Sequence, residues 1–166
     1  MAEFYTVITT AGRELVAGAT QAGEKVNITH FAVGDGGGMP VTPNESQTQL
    51  VNECWRGLVS TYKQEGTNII IDTYIPSDAE SFTAREMGIF TDDGVLFAVS
   101  NIPDMRKVLP SEGAVGDFAF GMKIDVSNLD TSYIEIHTDP KLDFVKNSEK
   151  GQPNGVAPLN KDKVLE

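Results

Sequence analysis

The sequence predicts an α+β fold, in which two N-terminal helices precede a mostly antiparallel β-sheet and a flexible C-terminal tail. Apolar residues recur at helical spacing early in the chain, whereas strict alternation of apolar and polar residues dominates further on. Because the predicted helices and strands are segregated along the chain, an antiparallel sheet is favoured over parallel βαβ units.

The first helix is predicted over residues 10–22. Its buried positions keep helical spacing: Ala11, Leu15, Ala19 and Ala22. Gly23 is a suitable C-terminal stop, because glycine adopts the left-handed conformation without strain. Gly12 and Gly18 are expected to weaken this helix, each by up to ~1 kcal/mol relative to alanine.

A second helix is predicted to begin at Thr42. The sequence Thr42-Pro43-Asn44-Glu45 offers a capping hydroxyl, a proline at the first helical position and a carboxylate three residues after the cap. Apolar residues further on supply its buried side: Leu50, Val51, Cys54 and Leu58. Trp55 and Arg56 would close this helix beside Gly57.

The rest of the folded region is predicted to form strands. Alternating apolar residues mark strands within residues 69–75, 118–126 and 134–136. Two further apolar runs, residues 87–90 and 95–99, flank the sequence Asp92-Asp93-Gly94. A glycine that takes a positive φ in such a short turn indicates a β-hairpin.

Composition divides the chain into a globular domain, residues 1–145, and a tail, residues 146–166. From Lys146 onward apolar residues become sparse, and residues 147–155 have the Asn, Ser, Gly and Pro content of a linker. The final Leu165-Glu166 resembles a cloning scar. We therefore expect the chain to be a piece of a longer protein.

Charge and composition exclude several classes of function. The formal net charge is −11, so the surface repels phosphate backbones and anionic membranes and favours a partner with a basic patch. A single cysteine, Cys54, gives no intrachain disulfide. No apolar run approaches the ~20 residues of a membrane span, and the N-terminus lacks the pattern of a signal peptide.

The most conspicuous local motif is Gly34-Asp35-Gly36-Gly37-Gly38. A phosphate-binding loop requires Gly-Lys-Ser/Thr and a helix N-terminus after its glycines, but Met39-Pro40 follows here. The motif is therefore interpreted as a permissive connection between a strand ending near Val33 and the helix beginning near Thr42.

No catalytic centre is predicted. His30, His137 and Cys54 are too few to form a structural zinc site, and the predicted apolar position of Cys54 disfavours an activated thiol. The pair Asp92-Asp93 is explained by its predicted turn. We expect no catalytic residue, no metal and no cofactor, and hence no enzyme.

Four segments, in order, resemble the N-terminal domain of phage tail-collar and tail-fibre proteins. They are the opening Thr9-Thr10-Ala11-Gly12 with residues 28–36, the hairpin at residues 82–102 that begins Phe82-Thr83-Ala84-Arg85-Glu86, Glu112-Gly113-Ala114 before an alternating strand, and the junction at residues 151–160. Together they cover nearly the whole chain. After Asn160 the sequence departs from the family, because the glycine-bearing repeat of a fibre shaft does not continue.

The resemblance implies a structural virion protein of a contractile-tailed phage or a phage-derived contractile particle. Such a domain attaches the fibre to the baseplate, while the distal part of the fibre recognises the host. It also implies a homotrimeric full-length fibre and a place in the virion tail after synthesis in the host cytoplasm. The acidic composition and the lack of a long apolar run predict neither nucleic-acid binding nor membrane insertion.

Nine residues are candidates for contacting the baseplate partner: Gly34, Asp35, Gly36, Gly37, Gly38, Trp55, Arg56, Arg85 and Glu86. The glycine-rich loop is a candidate for ordering on docking, and Trp and Arg are typical of interface hot spots. Arg85 and Glu86 are charged residues in an apolar strand. They either form structural hydrogen bonds or an ion pair, or they contact a neighbouring chain.

Two other functions remain open from the residues alone. A receptor- or carbohydrate-binding module is the main alternative, because exposed aromatic side chains stack on sugars. A depolymerase is the third, but it would need two carboxylates roughly 5–9.5 Å apart, and no pair stands out in the sequence.

Overall fold

The computed structural model describes residues 3–113 and 118–142, which form two β-sheets and one α-helix. The helix, α1, spans Thr10–Ala22. The strands in chain order are β1 (Thr6–Ile8), β2 (Val26–Gly34), β3 (Glu53–Leu58), β4 (Thr61–Glu65), β5 (Asn68–Ile75), β6 (Phe82–Thr91), β7 (Leu96–Lys107), β8 (Phe118–Asp125) and β9 (Ile134–Ile136). Within this part of the chain, no helix is long and apolar enough to span a membrane.

The larger sheet has the strand order β1-β7-β6-β2-β3, and β9 joins it by pairing with the first half of β2. The smaller sheet has the order β4-β5-β8. All of these pairs are antiparallel except β2 with β9. The predicted antiparallel pairing is therefore confirmed.

The main core lies where the inner faces of the two sheets and α1 meet. The large sheet contributes Phe31 and Ile89, the small sheet contributes Ile71 and Met122, and α1 contributes Val16. The alternation predicted for β5 and β8 is confirmed, because every second residue of each strand is buried against this core and the residues between them are half-buried or exposed. The buried positions are Ile69, Ile71, Thr73 and Ile75 of β5 and Phe120, Met122 and Ile124 of β8. Burial of apolar surface on this scale is the dominant favourable term in folding.

A second, smaller core lies on the opposite face of the large sheet. It is formed by buried side chains of the sheet and of one loop residue: Ala32, Phe90, Leu96, Val99 and Leu50. Leu50 belongs to residues 39–52, which connect the Gly36–Gly38 turn to β3 and which we call the strap. The strap closes this face, so the centre of the sheet is buried on both sides.

The prediction of a second helix, and with it the α+β class with two N-terminal helices, is wrong. The protein is β-rich, the strap has no helix, and residues 53–58 form the edge strand β3. Asn44 accepts hydrogen bonds from the N–H and hydroxyl of Ser46, so these residues form a turn instead of a helix cap. Cys54, placed on the buried side of a helix, is half-buried in β3.

The first helix is confirmed with its predicted bounds. Thr9 caps it by accepting a hydrogen bond from the N–H of Gly12 (3.0 Å), and Gly23 ends it in the left-handed conformation (φ 70°). The hairpin is also confirmed, because β6 pairs with β7 and Gly94 has a φ of 81°. The predicted linker at 146–166 lies outside the described residues.

The two glycines of α1 are expected to respond in opposite directions to alanine. At Gly18 an added Cβ has no neighbour within 4 Å, so Gly18→Ala should stabilise the fold by up to ~1 kcal/mol through helix propensity. At Gly12 an added Cβ would lie 2.6 Å from the carbonyl oxygen of Phe97. Gly12→Ala should therefore destabilise the fold, because it pushes α1 away from β7.

Chemical denaturation of both variants measures this difference. Equal changes in the free energy of unfolding for the two variants would show that the close approach of α1 to β7 does not require a glycine at position 12.

Candidate functional site

The glycine-rich segment forms a single tight turn at the end of β2. Gly36, Gly37 and Gly38 have φ values of 67°, 68° and 88°, a region that other residues rarely adopt. The carboxylate of Asp35 accepts a hydrogen bond from the N–H of Gly37 (2.8 Å). An added Cβ at Gly36 would lie 2.6 Å from Val41, so the start of the strap packs directly on the turn.

Arg85 connects this turn to the large sheet. Its Nε and Nη2 atoms donate to the two carboxylate oxygens of Asp104 on β7, each at 3.2 Å. Its Nη1 donates to the backbone carbonyl of Asp35 (3.0 Å). Such a two-pronged arginine–carboxylate contact is geometrically specific, so Arg85 holds the turn in a defined place over β6 and β7.

Glu86 fixes the other end of the strap. Its side chain is fully buried, and its carboxylate accepts hydrogen bonds from the backbone N–H groups of Val51 (3.0 Å) and Asn52 (2.9 Å). Gly34 makes this possible, because an added Cβ there would lie 2.5 Å from Oε1 of Glu86. Both charged residues of β6 therefore make contacts within the chain, although they do not pair with each other.

A hydrogen bond between Asp35 and Asn52 links the glycine-rich turn to the far end of the strap. The side-chain amide of Asn52 donates to the carboxylate of Asp35 (2.9 Å), and this bond is the main reason that the pKa of Asp35 lies below its ordinary value of 3.8. Burial raises the pKa of the neighbouring Cys54 thiol, so little reactive thiolate is present at neutral pH.

The pKa of Asp35 yields a testable prediction. Asn52→Ala should raise this pKa toward 3.8, whereas the pKa of Asp125, lowered by the backbone N–H of Ser127, should not change. Because the carboxylate form accepts the bonds, their stabilisation is complete above pH 3.8 and is lost as the pH falls through the lowered pKa. Titration of the carboxyl carbons by NMR measures both groups. An unchanged pKa of Asp35 in the variant would show that the hydrogen bond from Asn52 is not what lowers it.

Trp55 and Arg56 lie on β3 rather than at the end of a helix. The ring of Trp55 is half-buried and covers Gly57. The guanidinium of Arg56 lies 3.8 Å from the ring centroid of Phe90 and forms an ion pair with Glu53 (2.7 Å). A guanidinium at this distance from an aromatic face makes a cation–π contact.

An open groove of about 490 Å³ runs between the turn and the far end of the β6–β7 hairpin. Its lining includes Asp35, Cys54, Phe82, Arg85 and Arg106. Most charges of this groove are already paired within the chain, and its aromatic residue, Phe82, is buried. Within residues 3–113 and 118–142, no three His, Cys, Asp or Glu side chains are grouped as metal ligands.

The structure thus brings most of the predicted site residues together. Gly34–Gly38, Arg85 and Glu86 form one cluster, and Trp55 and Arg56 lie on the adjacent strand with separate contacts. Asn52 and Asp104 complete this cluster but were not among the predicted site residues. Their partners lie 17 and 19 residues away, so no local signal could identify them.

Residues 1–146 match the family described as phage tail-collar fibre protein, N-terminal. A probable tail fiber protein of Escherichia phage P2 is 39% identical over 140 residues, which cover 82% of this chain and 21% of that protein. The chain therefore spans about a fifth of the length of this relative. No solved structure matches the chain.

Proposed function

Because this chain belongs to the phage tail-collar fibre family, as the N-terminal domain of a tail fibre protein, we propose that it attaches a tail fibre to the baseplate of a contractile tail. The observation that carries the proposal is the family match over residues 1–146. In this proposal the role is structural and not enzymatic, the full-length fibre is a homotrimer, and its distal part recognises the host.

The architecture supports an attachment role. A domain that transmits force needs a rigid body, and here β6 and β7 pair along nearly their whole lengths within the larger sheet. The cluster of Arg85 and Glu86 joins the Gly34–Gly38 turn to these strands by charge-assisted hydrogen bonds. A force on the turn would therefore be carried directly into the sheet.

The proposed docking face consists of the Gly34–Gly38 turn and the neighbouring residues Trp55 and Arg56. Arg85 and Glu86 lie beneath it and act as positioning residues, since their polar atoms are used within the chain. A carbohydrate-binding role remains the alternative. It has less support, because Phe82, the aromatic residue of the adjacent groove, is buried, and the exposed Tyr62 and Tyr74 lie on the small sheet and do not line this groove.

The proposal is tested by incubating the purified chain with tails that were assembled without this protein and sedimenting them together. We expect the chain to sediment with these tails and not with tails that already carry fibres, because their attachment sites are occupied. Binding to host-surface polysaccharide in the absence of any binding to fibreless tails would overturn the proposal in favour of the carbohydrate-binding alternative.

A further inference from the structure

The strap, residues 39–52, is almost free of charge. It contains one charged residue, Glu45, whereas 22% of the chain is charged, a fraction that predicts about three in fourteen residues. Glu45 is paired with Arg13 on α1 (3.2 Å). Depletion of charge is typical of the central part of a protein–protein interface. In a chain of net charge −11, the strap therefore stands out as a neutral surface.

The two most exposed large apolar side chains of the described residues both belong to the strap. Met39 is 69% exposed and Val51 is 58% exposed. They lie at opposite ends of the strap in sequence, and both ends adjoin the Gly36–Gly38 turn. An added Cβ on Gly37 would lie 3.7 Å from Val51, and Met39 follows Gly37 by two residues. Single exposed apolar residues are ordinary on a protein surface. Here two of them flank the same turn on a neutral surface, which makes this region a candidate binding site.

The backbone of the strap is held in place at its middle and at its Val51 end before any partner binds. The carboxylate of Glu86 accepts hydrogen bonds from the backbone N–H groups of Val51 and Asn52. The backbone N–H of Thr10 donates to the carbonyl of Glu45 (2.8 Å). Leu50, directly before Val51, is buried in the second core. A surface ordered in advance loses less conformational entropy on binding, so more of its apolar burial is available as affinity.

We propose that Met39 and Val51 insert into an uncharged, apolar pocket of the tail protein that receives this domain. This inference rests on the proposed function, because it names the chemistry of the partner at the same site. Charge complementarity decides the kind of pocket. The strap has no carboxylate other than Glu45, which is already paired, so it does not attract a basic surface. An uncharged pocket therefore complements the strap, whereas a strongly basic surface would be attracted to the acidic remainder of the chain.

The test measures binding of the purified chain to fibreless tails for Met39→Ala, Val51→Ala and the matched control Met105→Ala. Met105 is an exposed methionine of β7 outside the strap. We expect each strap variant to weaken binding about tenfold or more, as truncation of an interface hot spot does. The control should bind like the parent chain, and unchanged denaturation midpoints would show that all three variants fold.

The dependence on salt supplies a second readout. Between roughly 0.1 M and 1 M NaCl the Debye length falls from about 10 Å to about 3 Å, which weakens ionic contacts and leaves apolar contacts in place. We expect the Kd for tails to change by less than about threefold over this range. A large loss of affinity at high salt would overturn the inference of an uncharged pocket.

The outcomes separate the two proposals. If the chain binds fibreless tails and the strap variants bind equally well, this inference fails and the proposed attachment stands. If the chain does not bind tails at all, both fail. Light scattering, which measures the mass of the chain in solution, tests whether a second copy of the chain binds the strap instead. Self-association of the parent chain that Met39→Ala abolishes would assign the strap to a second copy of the chain and overturn the inference.

Discussion

Replacing Glu86 by glutamine is expected to destabilise the fold by about 3 kcal/mol, because at a buried position one charge-assisted hydrogen bond is lost and the other becomes an ordinary neutral one. The carboxylate accepts from the N–H groups of both Val51 and Asn52. A glutamine has a single acceptor oxygen, and its amide nitrogen would face the second N–H as another donor. The strap should then detach from the sheet and expose Leu50, which is buried in the parent chain.

Two measurements check this expectation. Chemical denaturation gives the loss in free energy of unfolding, and amide hydrogen exchange at Val51 and Asn52 reports release of the strap. The matched control is Glu65→Gln on the exposed strand β4, which should change the stability by less than about 0.5 kcal/mol. If Glu86→Gln left both amides as protected as in the parent chain, Glu86 would not be what anchors the strap.

Replacing Lys107 by methionine is expected to cost about 2–3 kcal/mol, because it removes a fully buried cation and leaves the carbonyl groups of three half-buried residues without their donor. Lys107 is fully buried at the end of β7. Its ammonium group donates to the backbone carbonyls of Ser77 (3.1 Å), Ala79 and Val108 (3.4 Å). Ser77 and Ala79 lie in the loop between β5 and β6, so this cation closes the loop onto the hairpin.

The methionine retains the apolar stem of the lysine, so the experiment isolates the ammonium group from the packing. Lys123→Met, at an exposed position of β8, is the control and should be nearly neutral. Denaturation midpoints and limited proteolysis between residues 76 and 81 measure the effect. A Lys107→Met chain as stable as the control variant, with no new cleavage in this loop, would contradict the assigned role.

The contrast between α1 and the strap shows why one helix could be predicted and the other could not. Thr9 and Gly23 act on backbone groups within a few residues of themselves, so their effect can be read from neighbouring sequence. The signals at residues 42–45 are also local, but Thr, Pro and Asn favour turns as well as helix starts. What separates the two structures is Glu86, whose bonds to Val51 and Asn52 span 35 and 34 residues.

The candidate site shows the same division. The glycine-rich segment and the charged pair Arg85 and Glu86 were conspicuous in the sequence, because glycine clusters and charges in apolar strands are locally unusual. Their contacts were not predictable, since the partners of Arg85 are Asp35, which lies 50 positions away in the sequence, and Asp104, which lies 19 positions away. Met39 and Val51 gave no signal as a pair, because only the folded chain places Val51 beside the Gly36–Gly38 turn that Met39 follows.

By itself the sequence determined the first helix, the alternating strands β5 and β8, the β6–β7 hairpin and the resemblance to tail-fibre proteins that the family match confirms. The tertiary structure alone decided that residues 53–58 form an edge strand and that the strap covers a second core. The physical reason is the range of the interactions. Helix caps, turns and alternation act within a few residues, whereas strand partners and a buried carboxylate act on residues that only the folded chain brings together.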